Sequence, residues 1–320
     1  KDLPNTLELR KFEKEEKNNR DLTKNLYEII KHMPKKSHPM DVARTAVSVM
    51  GLEDKETNDS SPEANIRKAL RIFAKTPTAL AAFYRIRKGK KIIKPRKTLT
   101  FAENFFYMCF GKVPQKEIVK AFDVSLILYA EHSFNVSTFT ARTITSSLSD
   151  IHGAITGAIA SLKGPLHGGA NEEVMHMMNK IKKPENALKW INNALKNKEV
   201  VMGFGHRVYK SGDSRVPTMR KYFSKVAKIK KDKKFEKIYD IVERVMIKQK
   251  NIYPNVDYPT GPTYHLMGFD TDFFTPIFVI SRITGWSAHI MEQHAANKLI
   301  RPLASYTGRK HRKVMQLNQR

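Results

Sequence analysis

Cysteine and long apolar runs are almost absent from this sequence. Its single cysteine, Cys109, excludes an internal disulfide and a cysteine-rich zinc site, which fits a reducing compartment. We expect Cys109 to be a small core residue in the aromatic segment 105–110. The longest apolar candidate, Phe278–Ile283, is interrupted by Ser281 and Arg282 and falls far short of the roughly 18 residues that cross a bilayer. We therefore do not expect an integral membrane protein.

Acidic residues are scarce relative to basic ones. The sequence has 31 Asp and Glu against 58 Lys and Arg, a formal net charge of +27 at pH 7. Such a surplus is typical of proteins that bind nucleic acid or another anionic surface. The densest run lies between Arg85 and Lys97, and a second basic zone extends from Lys210 to Lys250, but no nucleic-acid-binding motif accompanies either. A solvated surface is the simpler interpretation, and a basic helical nucleic-acid-binding protein is the alternative from another class.

The residues that are present predict a folded, all-α protein. A chain of 320 residues with 41% hydrophobic content can build a full core, and convincing period-two strand patterns are missing. Ser61, Pro62 and Glu63 form a typical helix start, with a capping side chain, a proline in the first turn and an acid behind it. We predict helices over 7–17, from 61 onward, from Pro114 through Tyr129, and around 138–148, 151–162, 170–181, 185–197, 217–229, 234–250 and 272–292.

Glycine and proline cluster at three interruptions, 164–169, 202–205 and 254–262. Loop residues are better site candidates than core residues, and histidines stand in or beside these loops. Together with one aspartate and three arginines they favour a polyanionic substrate and carbon-acid chemistry. The candidate residues are His132, His167, His206, Asp257, Arg215, Arg282 and Arg301.

Two other kinds of site fit the sequence poorly. His289 and His294 are five residues apart, which is not the i, i+4 spacing of paired helical metal ligands, so we predict no metal site. The segment 203–205 lacks the third glycine and the preceding strand of a dinucleotide-binding motif.

Small residues recur at three- and four-residue spacing between Gly153 and Ala160. Such a face permits close helix approach. It fits tight packing within one subunit and a closely packed subunit interface equally well.

Three of the candidate segments resemble the catalytic segments of citrate synthases. They are Gly164-Pro165-Leu166-His167-Gly168-Gly169-Ala170-Asn171-Glu172, Met202-Gly203-Phe204-Gly205-His206-Arg207-Val208-Tyr209-Lys210 and Pro254-Asn255-Val256-Asp257. The resemblance extends from about residue 20 to Gly308. It implies an all-helical homodimer with a large domain (1–178 and 282–320), an inserted small domain (179–281), and helix 151–162 at the dimer interface. Family chains usually have a further N-terminal region, and this chain starts at Lys1, so we expect that region to be missing.

The resemblance also implies a role for each matching residue. Asp257 is expected to be the general base that takes a proton from an acyl-CoA thioester, His167 to hydrogen-bond the thioester oxygen, and His206 to polarise the ketone of oxaloacetate. It implies no metal and no cofactor beyond the CoA thioester substrate. Expected oxaloacetate ligands are His132, Arg215, Arg282 and Arg301, the last reaching the neighbouring subunit's site, and expected CoA-binding residues are Gly203, Gly205 and Lys210.

Departures from the common citrate synthase pattern indicate which activity to expect. Tyr129 stands where many family members have a histidine, Ser214 separates Asp213 from Arg215 where proline is common, and Tyr264 is also unusual. These residues resemble bacterial 2-methylcitrate synthases, which use propionyl-CoA, although Tyr264 fits simple core packing equally well. We favour a cytoplasmic 2-methylcitrate synthase of propionate metabolism that also accepts acetyl-CoA, since one methylene contributes only about 1–3 kcal/mol in an apolar pocket. The alternative is a citrate synthase of the tricarboxylic acid cycle.

Overall fold

Fourteen α-helices form the chain in a computed structural model that describes residues 3–206, 208–209, 211–309 and 312–320. Within those ranges there is no β-strand, only an isolated bridge between Phe204 and Pro254. The all-α prediction is confirmed. The helices are α1 (Thr6–Asn18), α2 (Lys24–His32), α3 (Pro39–Glu53), α4 (Pro62–Arg87), α5 (Phe101–Phe110), α6 (Lys116–Tyr129), α7 (Val136–Ser146), α8 (Ile151–Leu162), α9 (Ala170–Ile181), α10 (Pro184–Lys196), α11 (Val216–Ile229), α12 (Lys234–Lys250), α13 (Asp257–Met267) and α14 (Phe274–Ala295), with 3₁₀ turns at Thr271–Phe273 and Leu317–Gln319.

Local capping explains several helix starts. Ser61 caps α4 as predicted, because its hydroxyl accepts a hydrogen bond from the Ala64 N–H and Pro62 occupies the first turn. The Asp150 carboxylate accepts hydrogen bonds from two backbone N–H groups at the start of α8, at 2.8 and 3.0 Å. The helix predicted from Pro114 begins at Lys116, after an uncapped Gln115.

Helix α13 corrects the sequence-based prediction of an interruption over 254–262. The chain turns helical at Asp257 despite Pro259 and Pro262. Pro259 lies in the first turn, where the backbone N–H groups have no intrahelical partner in any case. Pro262 removes one helical hydrogen bond. The helix continues past it because the residues on both sides of Pro262 are buried against the rest of the protein.

Helix α14 lies at the centre of the core. It contacts α3, α4, α6, α7, α8 and α9, and its Trp286 is fully buried. An aromatic cluster joins α5 and α6, where the rings of Phe105 and Phe122 stack with centroids 5.6 Å apart. Cys109 is buried beside this cluster, as predicted.

Small residues on α8 serve packing within the chain. A Cβ atom at Gly157 would lie 2.2 Å from the Cδ1 atom of Ile144, so a larger residue here would force the Ile144 side chain to move where α7 packs against α8. The interface role expected for α8 remains a prediction, and it is compatible with this contact.

Two further expectations concern the whole chain. Across the described ranges we find no helix whose length and apolarity together would suit a bilayer crossing. The boundaries expected for the inserted domain, 178/179 and 281/282, fall inside α9 and α14, and the division into two domains stays a prediction.

Candidate active site

Most of the candidate residues line one cavity of about 700 Å³. The loops before α7, α9 and α11 converge on it, together with the first turn of α13 and the middle of α14. Arg301 does not line the cavity; it is exposed and its guanidinium donates to the Pro302 carbonyl oxygen at 3.1 Å. Lys210 lies outside the described residues. The candidates that line it are His132, His167, Gly203, Gly205, His206, Arg215, Asp257 and Arg282.

Two glycines allow the 202–206 loop to approach the start of α13. Gly203 and Gly205 have φ values of +84° and +79°, which favour glycine. A Cβ atom at Gly203 would lie 2.7 Å from a methyl carbon of Val174. The loop is tied to the segment before Asp257, because the Asn255 N–H donates to the Gly203 carbonyl oxygen and the Asn255 side chain to that of Gly205, at 2.9 and 3.0 Å.

His167 is held at the N-terminus of α7 as a neutral ring. The Ser137 backbone N–H donates to His167 Nε2 at 3.2 Å, and Ser137 Oγ lies 2.7 Å from the same nitrogen; with Nε2 as the acceptor, the proton of the neutral ring is on Nδ1. Burial, and then the nearby charge of Arg282, lower the pKa of His167 to about 4. His167 can therefore donate a hydrogen bond from Nδ1 to an uncharged or negative oxygen at neutral pH.

His132 and His206 lie side by side, with ring centroids 4.9 Å apart. His206 Nδ1 accepts hydrogen bonds from the N–H groups of Val208 and Tyr209 at 3.0 and 3.2 Å, so its proton is on Nε2. Burial, and then Arg215, lower the pKa of both histidines. His132 Nε2 is buried without a hydrogen-bond partner among the described residues.

Asp257 is the first residue of α13 and the carboxylate of the site. Its Oδ1 atom accepts a 2.5 Å hydrogen bond from the Tyr129 hydroxyl. Burial raises the pKa of Asp257 to about 6, a rise that the Tyr129 hydrogen bond and the charge of Arg215 oppose. A carboxyl group with a pKa near neutrality suits general base catalysis.

Two arginines supply positive charge to the cavity. Arg215 forms a two-point ion pair with Asp213, with N–O distances of 2.9 and 2.7 Å. Arg282 is 2% exposed, and its Nε donates to the Tyr129 carbonyl oxygen at 2.7 Å. Burial, and then Arg215, lower the pKa of Arg282 to about 10. Its Nη1 atom is buried without a hydrogen-bond partner in the described part of the chain, which leaves a donor for an anion.

Sequence reasoning missed some of the residues that shape the site. Ser137 orients His167, and Asp213 orients Arg215. Asp213 stands two residues before Arg215 in the sequence, whereas Ser137 is 30 residues from His167, so no local pattern indicated that contact. Tyr129 attracted notice as a departure from a family pattern, and its hydrogen bond to Asp257 was not foreseen. Tyr264 is fully buried, hydrogen-bonds Ser125 at 2.9 Å and does not line the cavity, so it packs in the core.

Comparison with known proteins adds independent findings. Residues 1–303 match the family model described as "Citrate synthase, C-terminal domain". The chain is 50% identical to the citrate synthase of Mycolicibacterium smegmatis over 98% of this chain and 84% of that protein. It is also 50% identical to the 2-methylcitrate synthase of Mycobacterium tuberculosis, over 97% and 79%. Among solved structures, the citrate synthase of the archaeon Thermoplasma acidophilum is similar to this chain in fold.

That solved structure holds carboxymethyl coenzyme A and oxaloacetate. It superposes with a TM-score of 0.93 at 32% identity, covering 100% of this chain and 86% of the other. The sequence comparison and the fold comparison therefore both find citrate synthases.

Proposed function

The chain belongs to the citrate synthase family, and from that premise we propose that it condenses oxaloacetate with propionyl-CoA, and also with acetyl-CoA, to give 2-methylcitrate or citrate and free CoA. One observation carries this proposal. A carboxyl group with a near-neutral pKa and two neutral histidines, each with a defined proton, line one cavity that also contains two arginines.

The first step uses Asp257 and His167. The Asp257 carboxylate takes a proton from the carbon next to the thioester carbonyl. The electron pair of that C–H bond moves toward the carbonyl oxygen, where the His167 Nδ1–H group stabilises the developing negative charge. A single well-placed donor of this kind contributes about 3–4 kcal/mol elsewhere.

The second step forms the carbon–carbon bond. The enol or enolate carbon attacks the ketone carbon of oxaloacetate, and His206 donates from Nε2 to the ketone oxygen as it becomes negative. Water then hydrolyses the condensed thioester and releases CoA, which makes the overall reaction irreversible. Closure of the cavity over the substrates would keep water away from the enolate in the meantime.

Positive and polar groups hold oxaloacetate. His132 and Arg282 each have a buried nitrogen without a hydrogen-bond partner among the described residues, and Arg215 is fixed by Asp213. Planar guanidinium groups suit carboxylates because they donate two parallel hydrogen bonds. Arg301, which is exposed in the single chain, completes the site from a second copy in a homodimer.

The CoA moiety lies beside the 203–205 loop. Gly203 and Gly205 line the cavity in a loop conformation that their positive φ values favour, and Lys210 supplies charge for the CoA phosphates. No metal or separate cofactor takes part in this proposal. Among the described residues, no group of three or more His, Cys, Asp or Glu side chains is arranged to hold a metal ion.

The preference for propionyl-CoA rests on the resemblance of Tyr129 and Ser214 to 2-methylcitrate synthases; relatives of both names are 50% identical to the chain. The test is the oxaloacetate-dependent release of CoA thiol, with kcat/KM measured for each thioester. A higher kcat/KM for propionyl-CoA is expected. A ratio strongly in favour of acetyl-CoA would assign a citrate synthase of the tricarboxylic acid cycle instead.

The basic surface does not require a nucleic-acid partner in this proposal. Oxaloacetate and CoA esters are anions, and a positive field assists their capture. We propose a cytoplasmic enzyme, in line with the single buried cysteine. Sequence-selective nucleic-acid binding at physiological salt would contradict the interpretation that the basic surface needs no nucleic-acid partner.

A further inference from the structure

We propose that Tyr129 is a positioning residue for the general base: its hydroxyl fixes Asp257 through Oδ1 and leaves Oδ2 to take the substrate proton. This inference rests on the proposed function. The Tyr129 hydroxyl lies 2.5 Å from Oδ1, and Oδ2 accepts no hydrogen bond from a described residue. The two carboxylate oxygens are therefore chemically distinct before any substrate arrives.

The phenol is itself rigidly held. Tyr129 is the last residue of α6 and is 1% exposed, and its ring packs against Phe278 at a centroid distance of 4.2 Å. Its carbonyl oxygen accepts a hydrogen bond from Arg282 Nε at 2.7 Å. One residue thus connects the proposed base, through its side chain, with a proposed oxaloacetate ligand, through its main chain.

The hydroxyl also acts on the charge of the base. The charged and titratable groups around Asp257 are Tyr129 on α6, Asp213 and Arg215 before α11, and Arg282 on α14. Of these, Tyr129 alone forms a hydrogen bond with the carboxylate among the described residues. Burial raises the pKa of Asp257, and the Tyr129 hydrogen bond is the largest influence that opposes the rise. Without it, the carboxyl group should stay protonated to higher pH.

A purely structural role for Tyr129 is the competing interpretation, and the chain offers a matched control. Tyr264 is also a fully buried tyrosine with a hydrogen bond, to Ser125 Oγ at 2.9 Å, but it does not line the cavity. If Tyr129 only fills the core, Y129F and Y264F should change activity and its pH dependence alike.

The experiment compares wild type, Y129F and Y264F by CoA release across pH 5.5 to 8.5 at saturating oxaloacetate, using propionyl-CoA. In Y129F we expect the acid limb of kcat/KM to move up by roughly one pH unit or more, and kcat at pH 7 to fall about tenfold or more. The KM for oxaloacetate should stay close to that of wild type, because Arg282 contacts the main chain of Tyr129. Y264F should keep the wild-type acid limb. An unchanged acid limb and kcat in Y129F would overturn the proposal.

A second variant covers the case in which Y129F does not fold. Incorporation of 3-fluorotyrosine at position 129 by stop-codon suppression keeps the shape of the ring and makes the phenol a stronger donor, because fluorine acidifies it. The acid limb should then move to lower pH, and an unshifted limb would equally contradict the proposal. Failure of the proposed function is a separate result: wild type would then release no CoA from either thioester in the presence of oxaloacetate.

Discussion

The burial that makes Asp257 a useful base should make the folded chain less stable, and Asp257→Asn should reveal this. Burial raises the pKa of Asp257 from 3.8 to about 6. Each pKa unit corresponds to about 1.36 kcal/mol, so ionising Asp257 costs the folded state about 3 kcal/mol more than the unfolded state. An uncharged asparagine of nearly the same shape removes that cost and can still accept the Tyr129 hydrogen bond.

The sign of the effect fixes its pH dependence. Below pH 3.8 the carboxyl group is protonated in both states, so wild type and D257N should be equally stable. Between pH 3.8 and about 6 the unfolded chain ionises first, and wild-type stability falls. The advantage of D257N should therefore be about half its full value near pH 5 and close to its full value of about 3 kcal/mol at pH 8.

Urea unfolding followed by circular dichroism at pH 5 and pH 8, at equal protein concentrations, measures this difference. D213N is the opposite control, because Arg215 holds the pKa of Asp213 below its ordinary value despite burial. That variant should lose stability at pH 8, since it leaves the partly buried Arg215 without its partner. A D257N variant whose advantage over wild type is the same at both pH values would refute the reasoning.

Gly203→Ala should lower the free energy of unfolding by about 1–3 kcal/mol, because φ is +84° and the new Cβ would lie 2.7 Å from Val174 and 2.9 Å from Tyr258. The value of kcat should fall as well, because the 202–206 loop lines the cavity. Gly89→Ala is the control, with φ +67° and no atom within 4 Å of the new Cβ, and should cost only about 1 kcal/mol in urea unfolding; equal losses would contradict the packing argument. Arg282→Met should raise the KM for oxaloacetate about tenfold to hundredfold while the urea midpoint does not fall, because no carboxylate of a described residue pairs with this buried cation. A wild-type KM in R282M would remove Arg282 from the substrate site.

Much of the helical framework could be predicted from local sequence, because helix ends depend on a few neighbouring residues. Ser61 and Pro62 mark the start of α4 whatever packs against it later. Helix α13 was missed because Pro259 and Pro262 normally indicate an interruption, and only their positions within the helix make them tolerable. Tyr264 could not be assigned to the core or to the site, because that depends on which face of α13 meets α6.

The site was predictable as far as its residues lie in contiguous segments. His167, His206 and Asp257 stand in three short motifs, and the fold brings these motifs to one cavity. The hydrogen bond between Tyr129 and Asp257 joins residues 128 positions apart, so no local pattern could show it. Arg301 remains exposed in the single chain, and its proposed role depends on a second copy.

The most direct test of the proposed function is the rate of oxaloacetate-dependent CoA release from propionyl-CoA at pH 8, compared between wild type and D257N. We expect rapid release by wild type and almost none by D257N, although that variant should fold and be at least as stable as wild type. Thiol release by D257N at the wild-type rate would contradict the assignment of Asp257 as the base, and with it the mechanism proposed for this cavity.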